Sequence, residues 1–255
     1  MAVRDRFERK SVEWTSRMLE RLTPDQLFAI TDKLLGVIDD VAADRWDAAV
    51  ERAESIEGNV RPEKVKRLVT SFSRELGVAG AAAGAAAAAP SVGTGATLVA
   101  TMSELAWFTT RAGDLVLTIA ALHGREKPTV DERRAWVLAV LIYGSSARDG
   151  FARAVHEATT GAQVAASGRI PVATIQLANR VMAKTFARTY GKRRGVLAFG
   201  RLIPLGIGAV VGGGSNYLAI RALARNADEF FATLPYSAID VESTDVTGRQ
   251  LRWSR

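Results

Sequence analysis

Three charged residues lie inside an otherwise apolar helical stretch, and they are the side chains best placed to do chemistry. These residues are Glu104, Arg111 and Asp114. Glu104 and Arg111 are seven residues apart, two turns along one helical face, and Asp114 lies one turn beyond Arg111. Such charges either pair with one another as a structural lock between helices or form a polar functional site in an apolar groove. The sequence favours the lock, and it leaves an enzyme that uses Glu104 as an acid or base as an alternative.

The other residues that could catalyse a reaction or bind a metal form no known motif. The chain has no cysteine, which excludes disulfides, zinc–thiolate sites and iron–sulfur clusters. His123 and His156 are far apart and have no HExxH spacing, so each is expected at the surface or at a helix end. The glycines at 206–214 follow no strand pattern, and no GxxxxGK[ST] or GxSxG motif is present. The sequence therefore predicts no catalytic residue, no metal and no cofactor.

Glu104 directly follows a long stretch without charged side chains, Leu76 to Ser103, built mostly from Gly, Ala, Val and Thr. Gly80 and Gly84 form a small-xxx-small row that lets another helix backbone approach closely. Pro90 and its neighbouring glycines interrupt the stretch. The pattern predicts two helical arms joined by a bend.

A second small-residue stretch runs from Leu202 to Ile220 and contains the GxxxG pair Gly208 and Gly212. Asn216 lies within it and must find hydrogen-bond partners, either a neighbouring helix backbone or Glu104. Structural packing is the favoured role for Asn216, and contact with a ligand is the alternative. The two stretches predict a pair of similar helical hairpins at the centre of the protein.

The rest of the chain has the apolar periodicity of amphipathic helices. Thr23 and Thr129 each precede a Gln or Glu by three residues, the pattern of a capping box at a helix start. The apolar face that begins at Leu27 continues through Trp46 and Val50, which predicts one long surface helix. The sequence thus predicts an all-α multi-helix bundle in which amphipathic helices sheathe two Gly/Ala-rich central hairpins. The predicted divisions are N-terminal amphipathic helices at 1–60, a helical domain at 61–235, and a partly disordered tail at 236–255.

Charge and hydropathy favour contact with an anionic surface over passage through a bilayer. The formal net charge is +7, and Pro90 divides the first small-residue stretch into arms of about thirteen residues, short of the roughly twenty that span a membrane. Buried core helices are favoured, with reversible lipid contact and a bilayer span as alternatives. Cations flank the second stretch on both sides, as in a segment lying on an anionic leaflet. These predicted lipid contacts are Lys192, Arg193, Arg194, Arg201, Arg221 and Arg225.

Two runs of the chain resemble the EcsC family of bacterial proteins. They are GVAGAAAGAAAAAPSVGTGATLVATMSELAWFTTRAGDLVLTIAALHG and RLIPLGIGAVVGGGSNYLAIRALARNADEFF, within residues 60 to 235. The characteristic parts are the glycine-rich entry followed by Glu104 and the block from Pro204 through Asn216. The chain departs from the family pattern at His123-Gly124, where an aromatic residue is expected before the glycine. The resemblance implies a helical, cytoplasmic, membrane-associated protein and supplies no catalytic residue; the family is named after a gene beside those of an ABC transporter.

The leading functional hypothesis is a non-enzymatic peripheral membrane or lipid-binding protein, with an apolar helical cleft and a basic face for anionic lipid. One alternative is a soluble accessory or regulatory protein that docks on a membrane transporter. A second alternative is the enzyme that uses Glu104. The N-terminus has no secretory signal, so the protein is expected in the cytoplasm or at the inner face of the cell membrane. Nucleic acid is not an expected partner because the cations are dispersed, and homo-oligomerisation through the GxxxG faces is left open.

Overall fold

The computed structural model describes residues 23–87, 94–158, 170–190 and 213–234, and within these ranges the chain is helical with no strand. The α-helices of this part are α1 (Pro24–Asp44), α2 (Trp46–Ser55), α3 (Arg61–Ala87), α4 (Thr94–Leu122), α5 (Val130–Tyr143), α6 (Ala147–Ala158), α7 (Val172–Tyr190) and α8 (Gly213–Thr233). A 3₁₀ turn, Gly144–Ser146, joins α5 to α6. The predicted all-α multi-helix class is confirmed.

Local sequence signals set several of the helix ends. Thr23 and Thr129 both form the predicted capping boxes, in which the Thr side chain accepts from the backbone N–H of the third helical residue. Gly124 and Gly144 follow α4 and α5 with φ values of +71° and +55°, a conformation that costs glycine little. These ends therefore follow from the residues beside them.

The predicted single helix through Trp46 and Val50 is wrong, because the chain breaks at Arg45. Arg45 has φ −105° and ψ 4°, and α2 begins at the next residue. The turn directs Ala49 and Ala53 of α2 into the core, and it places the Arg45 guanidinium against Asp114 of α4. A tertiary contact across 69 positions thus overrides the helical periodicity.

The core of the described part lies around the second half of α4 and around α5. Every residue from 112 to 120 in α4 and from 135 to 141 in α5 is buried. α4 packs against α1, α2, α3, α5 and α8, and α5 packs against α1, α4, α6, α7 and α8. Trp136 of α5 lies between Trp46 and Phe231, with ring centroids 6.3 and 5.3 Å away. The amphipathic helices therefore sheathe these two central helices.

The predicted Gly/Ala-rich hairpins stay a prediction. Gly80 and Gly84 fall within α3, but residues 88–93 and the side chains of residues 76–101 lie outside the described part. Gly208 and Gly212 lie outside it as well. The division at residue 60 also stays a prediction, although α1 and α2 contribute to the same hydrophobic core as the later helices.

Gly113 is a point of close contact between α4 and α1. A Cβ on Gly113 would lie 2.6 Å from Cγ1 of the buried Val41, closer than real carbon atoms approach. The small residue thus allows α1 to pack tightly on α4. Gly113 lies outside the two small-residue stretches, so no pattern in the sequence marks it as a contact.

Candidate functional site

Five charged side chains from four parts of the fold meet beside α4, and we call them the arginine cluster. Arg45 lies between α1 and α2, and Arg52 lies on α2. Glu75 comes from α3, while Arg111 and Asp114 come from α4. The sequence alone indicates two members of the cluster, Arg111 and Asp114. The other three are distant in sequence, and no local pattern marks them as neighbours.

Asp114 is the central carboxylate of the arginine cluster, with 8% of its side chain exposed. Arg45 Nε donates to Oδ1 and Arg45 Nη2 to Oδ2, both at 2.8 Å. Arg111 Nη1 donates to Oδ2 at 2.9 Å. The hydrogen bonds and charge of Asp114 raise the pKa of Arg45. Asp114 thereby ties the junction of α1 and α2 to α4.

Glu75 holds the other side of the cluster. Arg52 Nη2 pairs with its Oε1, and Arg111 Nη2 pairs with its Oε2. The buried Phe72 ring lies against both cations, with guanidinium carbons 4.4 Å (Arg52) and 4.8 Å (Arg111) from its centroid. Burial lowers the pKa of Arg52 and of Arg111, chiefly because it removes water from the cations. The predicted lock between helices is therefore present for Arg111, with α3 as the second helix.

A cavity of about 220 Å³ adjoins the cluster between α2 and α4. All three arginines and Asp114 line it. Its full lining is Arg45, Ala48, Ala49, Arg52, Arg111, Asp114 and Thr118. The cluster carries three cations and two carboxylates, so one positive charge is left over. This excess faces a space that can hold a small anion.

Helix α7 carries a second cationic feature, which we call the α7 basic stripe. Arg180, Lys184 and Arg188 are four residues apart and exposed, so they follow one face of the helix. Unlike the cluster, none of the three forms an ion pair with another described residue. The opposite face is buried in the core through Ile175, Ala178, Asn179, Met182 and Phe186. The i, i+4 spacing was visible in the sequence, but the absence of nearby carboxylate partners required the structure.

The predicted lipid contacts are only partly described. Arg221 and Arg225 are exposed on α8, and Arg225 Nε lies 3.8 Å from Glu229 Oε1. The predicted contacts at 192–194 and 201 lie outside the described residues. The side chains of Glu104 and Asn216 also lie outside, so the predicted contact between them and the enzymatic alternative stay predictions.

The buried His123 and the half-buried Asp228 form a pair where the ends of α4 and α8 meet. His123 Nε2 lies 2.7 Å from Asp228 Oδ1, and Arg61 Nε lies 3.3 Å from the same oxygen. The hydrogen bond with His123 is the main cause that lowers the pKa of Asp228. His123 follows the end of α4, as the sequence predicts, and 3% of its side chain is exposed. The pair joins the end of α4 to α8.

The part of the chain that the structure describes contains no group of His, Asp and Glu that could hold a metal ion. One helical segment, Leu105–Leu122, is long and apolar enough to cross a membrane, with a mean hydropathy of 1.2. Two thirds of it, 67%, is buried within the protein, as in the core helix of a soluble domain.

Comparison with protein-family models, with curated proteins and with solved structures finds no match for this chain. The features that bear on function are the arginine cluster, its cavity and the α7 basic stripe.

Proposed function

We propose that this chain is a non-enzymatic peripheral membrane protein that binds anionic lipid through the α7 basic stripe. The observation that carries the proposal is that Arg180, Lys184 and Arg188 are exposed together with no described carboxylate partner. Cations that are already paired gain little from an anionic surface, whereas unpaired cations gain the full attraction.

The geometry of α7 suits contact with a flat surface. Positions four residues apart lie about 6 Å apart along a helix axis, so the three cations can meet neighbouring headgroups at once. Each cation near an anionic leaflet contributes about 1 kcal/mol. The stripe as a whole would then supply about 3 kcal/mol, a useful but reversible attachment.

The sequence after α7 supports the same reading. Lys192, Arg193 and Arg194 come four to six residues after Arg188 and extend the run of cations. The net charge of +7 adds a long-range attraction to anionic membranes. The resemblance to the EcsC family is consistent with attachment at the cytoplasmic face. Burial of most of Leu105–Leu122 favours a peripheral attachment over a span.

Flotation of the purified full chain with vesicles tests the proposal. Phosphatidylcholine vesicles are compared with vesicles that also contain phosphatidylglycerol, each at low and at high salt. We expect flotation only with the anionic vesicles, and we expect high salt to weaken it because the contact is exposed. A protein that stays at the bottom with both vesicles contradicts the proposal and favours docking on a membrane transporter.

A further inference from the structure

We propose that the cavity beside Arg45, Arg52 and Arg111 is a binding site for a phosphate group. The site lies between α2 and α4, separate from the α7 basic stripe, and is independent of the proposed membrane function.

The charge of the cluster is unbalanced in favour of an anion. Asp114 and Glu75 neutralise two of the three guanidinium groups, and the third charge has no carboxylate in the cluster. Buried or half-buried charge is costly unless it is paired. An anion in the cavity would supply the missing negative charge at the place where water is already partly excluded.

The guanidinium groups also retain unused hydrogen-bond donors. Arg45 uses Nε and Nη2 on Asp114, and Arg52 uses Nη2 on Glu75. Nη1 of Arg45, and Nε and Nη1 of Arg52, make no hydrogen bond within the described part of the chain. Thr118 is not a further donor, since its hydroxyl already donates to the Asp114 carbonyl oxygen at 2.7 Å. The free donors of the cavity are therefore arginine N–H groups, which suit oxyanions.

The arginines are held in place before any ligand arrives. Asp114 holds one edge of Arg45 through two hydrogen bonds, Glu75 fixes Arg52, and the Phe72 ring lies against Arg52 and Arg111. A ligand that meets side chains already ordered does not have to offset the entropy of ordering them. This rigidity favours a specific site over loose attraction.

The dimensions of the cavity limit the ligand to a small group. The cavity volume is about 220 Å³. It lies below the roughly 300 Å³ at which pockets for larger organic ligands begin. A phosphate group offers more acceptor oxygens than a carboxylate and carries the larger charge, so it best matches the unused donors of Arg45 and Arg52 and the excess positive charge. The phosphate can belong to a lipid headgroup or to a soluble phosphate compound.

Titration calorimetry of the full chain with inorganic phosphate tests the site. Chloride at the same ionic strength serves as the reference. We expect saturable binding that weakens by about tenfold or more in Arg52→Gln, because one charge-assisted interaction is lost. The control is Arg153→Gln, which removes an exposed arginine of α6 and should leave phosphate binding unchanged.

A second variant keeps the test decisive if Arg52→Gln fails to fold. Glu75→Gln removes a carboxylate that competes for Arg52 and Arg111, so phosphate should bind several-fold more tightly. Absence of saturable phosphate binding by the wild-type chain overturns the proposal. Equal binding by a folded Arg52→Gln protein, or no change in Glu75→Gln, overturns it as well.

Binding to vesicles of different lipids shows whether the phosphate belongs to a lipid headgroup or to a soluble compound. Phosphatidic acid, which has a phosphomonoester headgroup, is compared with phosphatidylglycerol at matched surface charge. Loss of a preference for phosphatidic acid in Arg52→Gln assigns the site to lipid headgroups. Loss of phosphate binding with unchanged vesicle binding assigns it to soluble phosphate compounds. Both results support the site, and neither depends on whether the α7 basic stripe attaches the protein to the membrane.

Discussion

Arg111 joins the two halves of the arginine cluster, because its two terminal nitrogens bind different carboxylates. Nη1 contacts Asp114 and Nη2 contacts Glu75, while the guanidinium lies against Phe72. With 16% of its side chain exposed, Arg111 has little access to water. Its removal would leave two partly buried carboxylates with fewer partners.

Arg111→Met should therefore destabilise the protein strongly. Breaking a buried ion pair by removing one partner costs about 3–5 kcal/mol, and we expect a value near the lower limit because Arg45 and Arg52 remain. Urea unfolding monitored by circular dichroism measures the change. The control is Arg225→Met on the exposed face of α8, which should change the free energy of unfolding by less than about 0.5 kcal/mol. Equal effects of the two variants would contradict the account of the cluster.

Asp228 makes the stability of the protein depend on pH. Its pKa in the folded protein lies below the ordinary value of 3.8, mainly because His123 hydrogen-bonds to it. The ionised group therefore contributes stability that is complete above the ordinary value and lost as pH falls through the lower, folded value. Asp228→Asn should destabilise the protein by about 2 kcal/mol at neutral pH, the scale of a hydrogen bond to a charged group. The difference should shrink as the pH falls below 3.8.

Urea unfolding of the wild-type chain and Asp228→Asn between neutral pH and about pH 3 measures this difference. A gap between the two proteins that stays constant over the whole range would show that the charge of Asp228 contributes nothing.

At the residue scale, the sequence predicted the role of Arg111 and its neighbour Asp114, but not its second partner, Glu75. The helical spacing within α4 is a local property, so it predicted that Arg111 and Asp114 share a face. Arg45 is 69 positions from Asp114, and only tertiary packing brings them together. His123 shows the same limit, since nothing near it in the sequence indicates Asp228 of α8.

At the element scale, the packing of α1 on α4 depends on Gly113. A methyl group at this position would overlap Val41, so the two helices would have to move apart. Gly113→Ala should destabilise the protein by about 1–3 kcal/mol, the usual cost of overpacking a core. Thermal or urea unfolding measures it.

Gly36→Ala is the matched control for Gly113→Ala. Gly36 lies on the exposed side of α1, and no atom lies within 4 Å of an added Cβ. Alanine is a better helix former than glycine, so this variant should be more stable by about 0.5–1 kcal/mol. Adding Val41→Ala to Gly113→Ala should cost less than the sum of the two single changes, because the methyl then has room. The close approach of α1 to α4 at Gly113 would be contradicted if Gly113→Ala and Gly36→Ala both destabilised the protein. Strict additivity of Gly113→Ala and Val41→Ala would contradict it as well.

The sequence predicts a helix end where a capping residue determines it. It does not predict a helix end that depends on a contact with a residue distant in sequence. Thr23, Thr129 and Gly144 act through neighbouring backbone groups, and the predicted ends agree with the structure. The break at Arg45 depends on Asp114, so the periodicity of α1 could not reveal it. Gly80 and Gly84 form a row that the sequence shows, whereas Gly113 belongs to no such row. Gly113 matters because it faces Val41 of α1.

At the scale of the whole molecule, the positive charge is unevenly distributed. The segment at 23–57 has nine acidic and three basic residues, whereas α7 has three basic residues and no acidic one. An anionic surface attracts the second and repels the first, so one orientation is favoured. Composition predicted the net charge and the all-α class. It could not predict which cations remain without partners, since that depends on how the helices pack.

We propose that the α7 basic stripe attaches the protein to anionic membranes. The most direct test compares how two variants of the protein partition onto vesicles. One variant replaces Arg180, Lys184 and Arg188 with Gln. The control replaces three exposed cations on α1 and α6 with Gln, namely Lys33, Arg148 and Arg153. Both variants therefore lose three positive charges.

The measurement is the partition coefficient onto phosphatidylglycerol-containing vesicles at low salt. At about 1 kcal/mol per cation, the α7 variant should bind about 100-fold more weakly than the wild-type chain. The control should stay close to the wild-type value. Equal losses in the two variants would mean that net charge alone drives binding, and an unchanged α7 variant would place the membrane contact elsewhere; either result contradicts the claim.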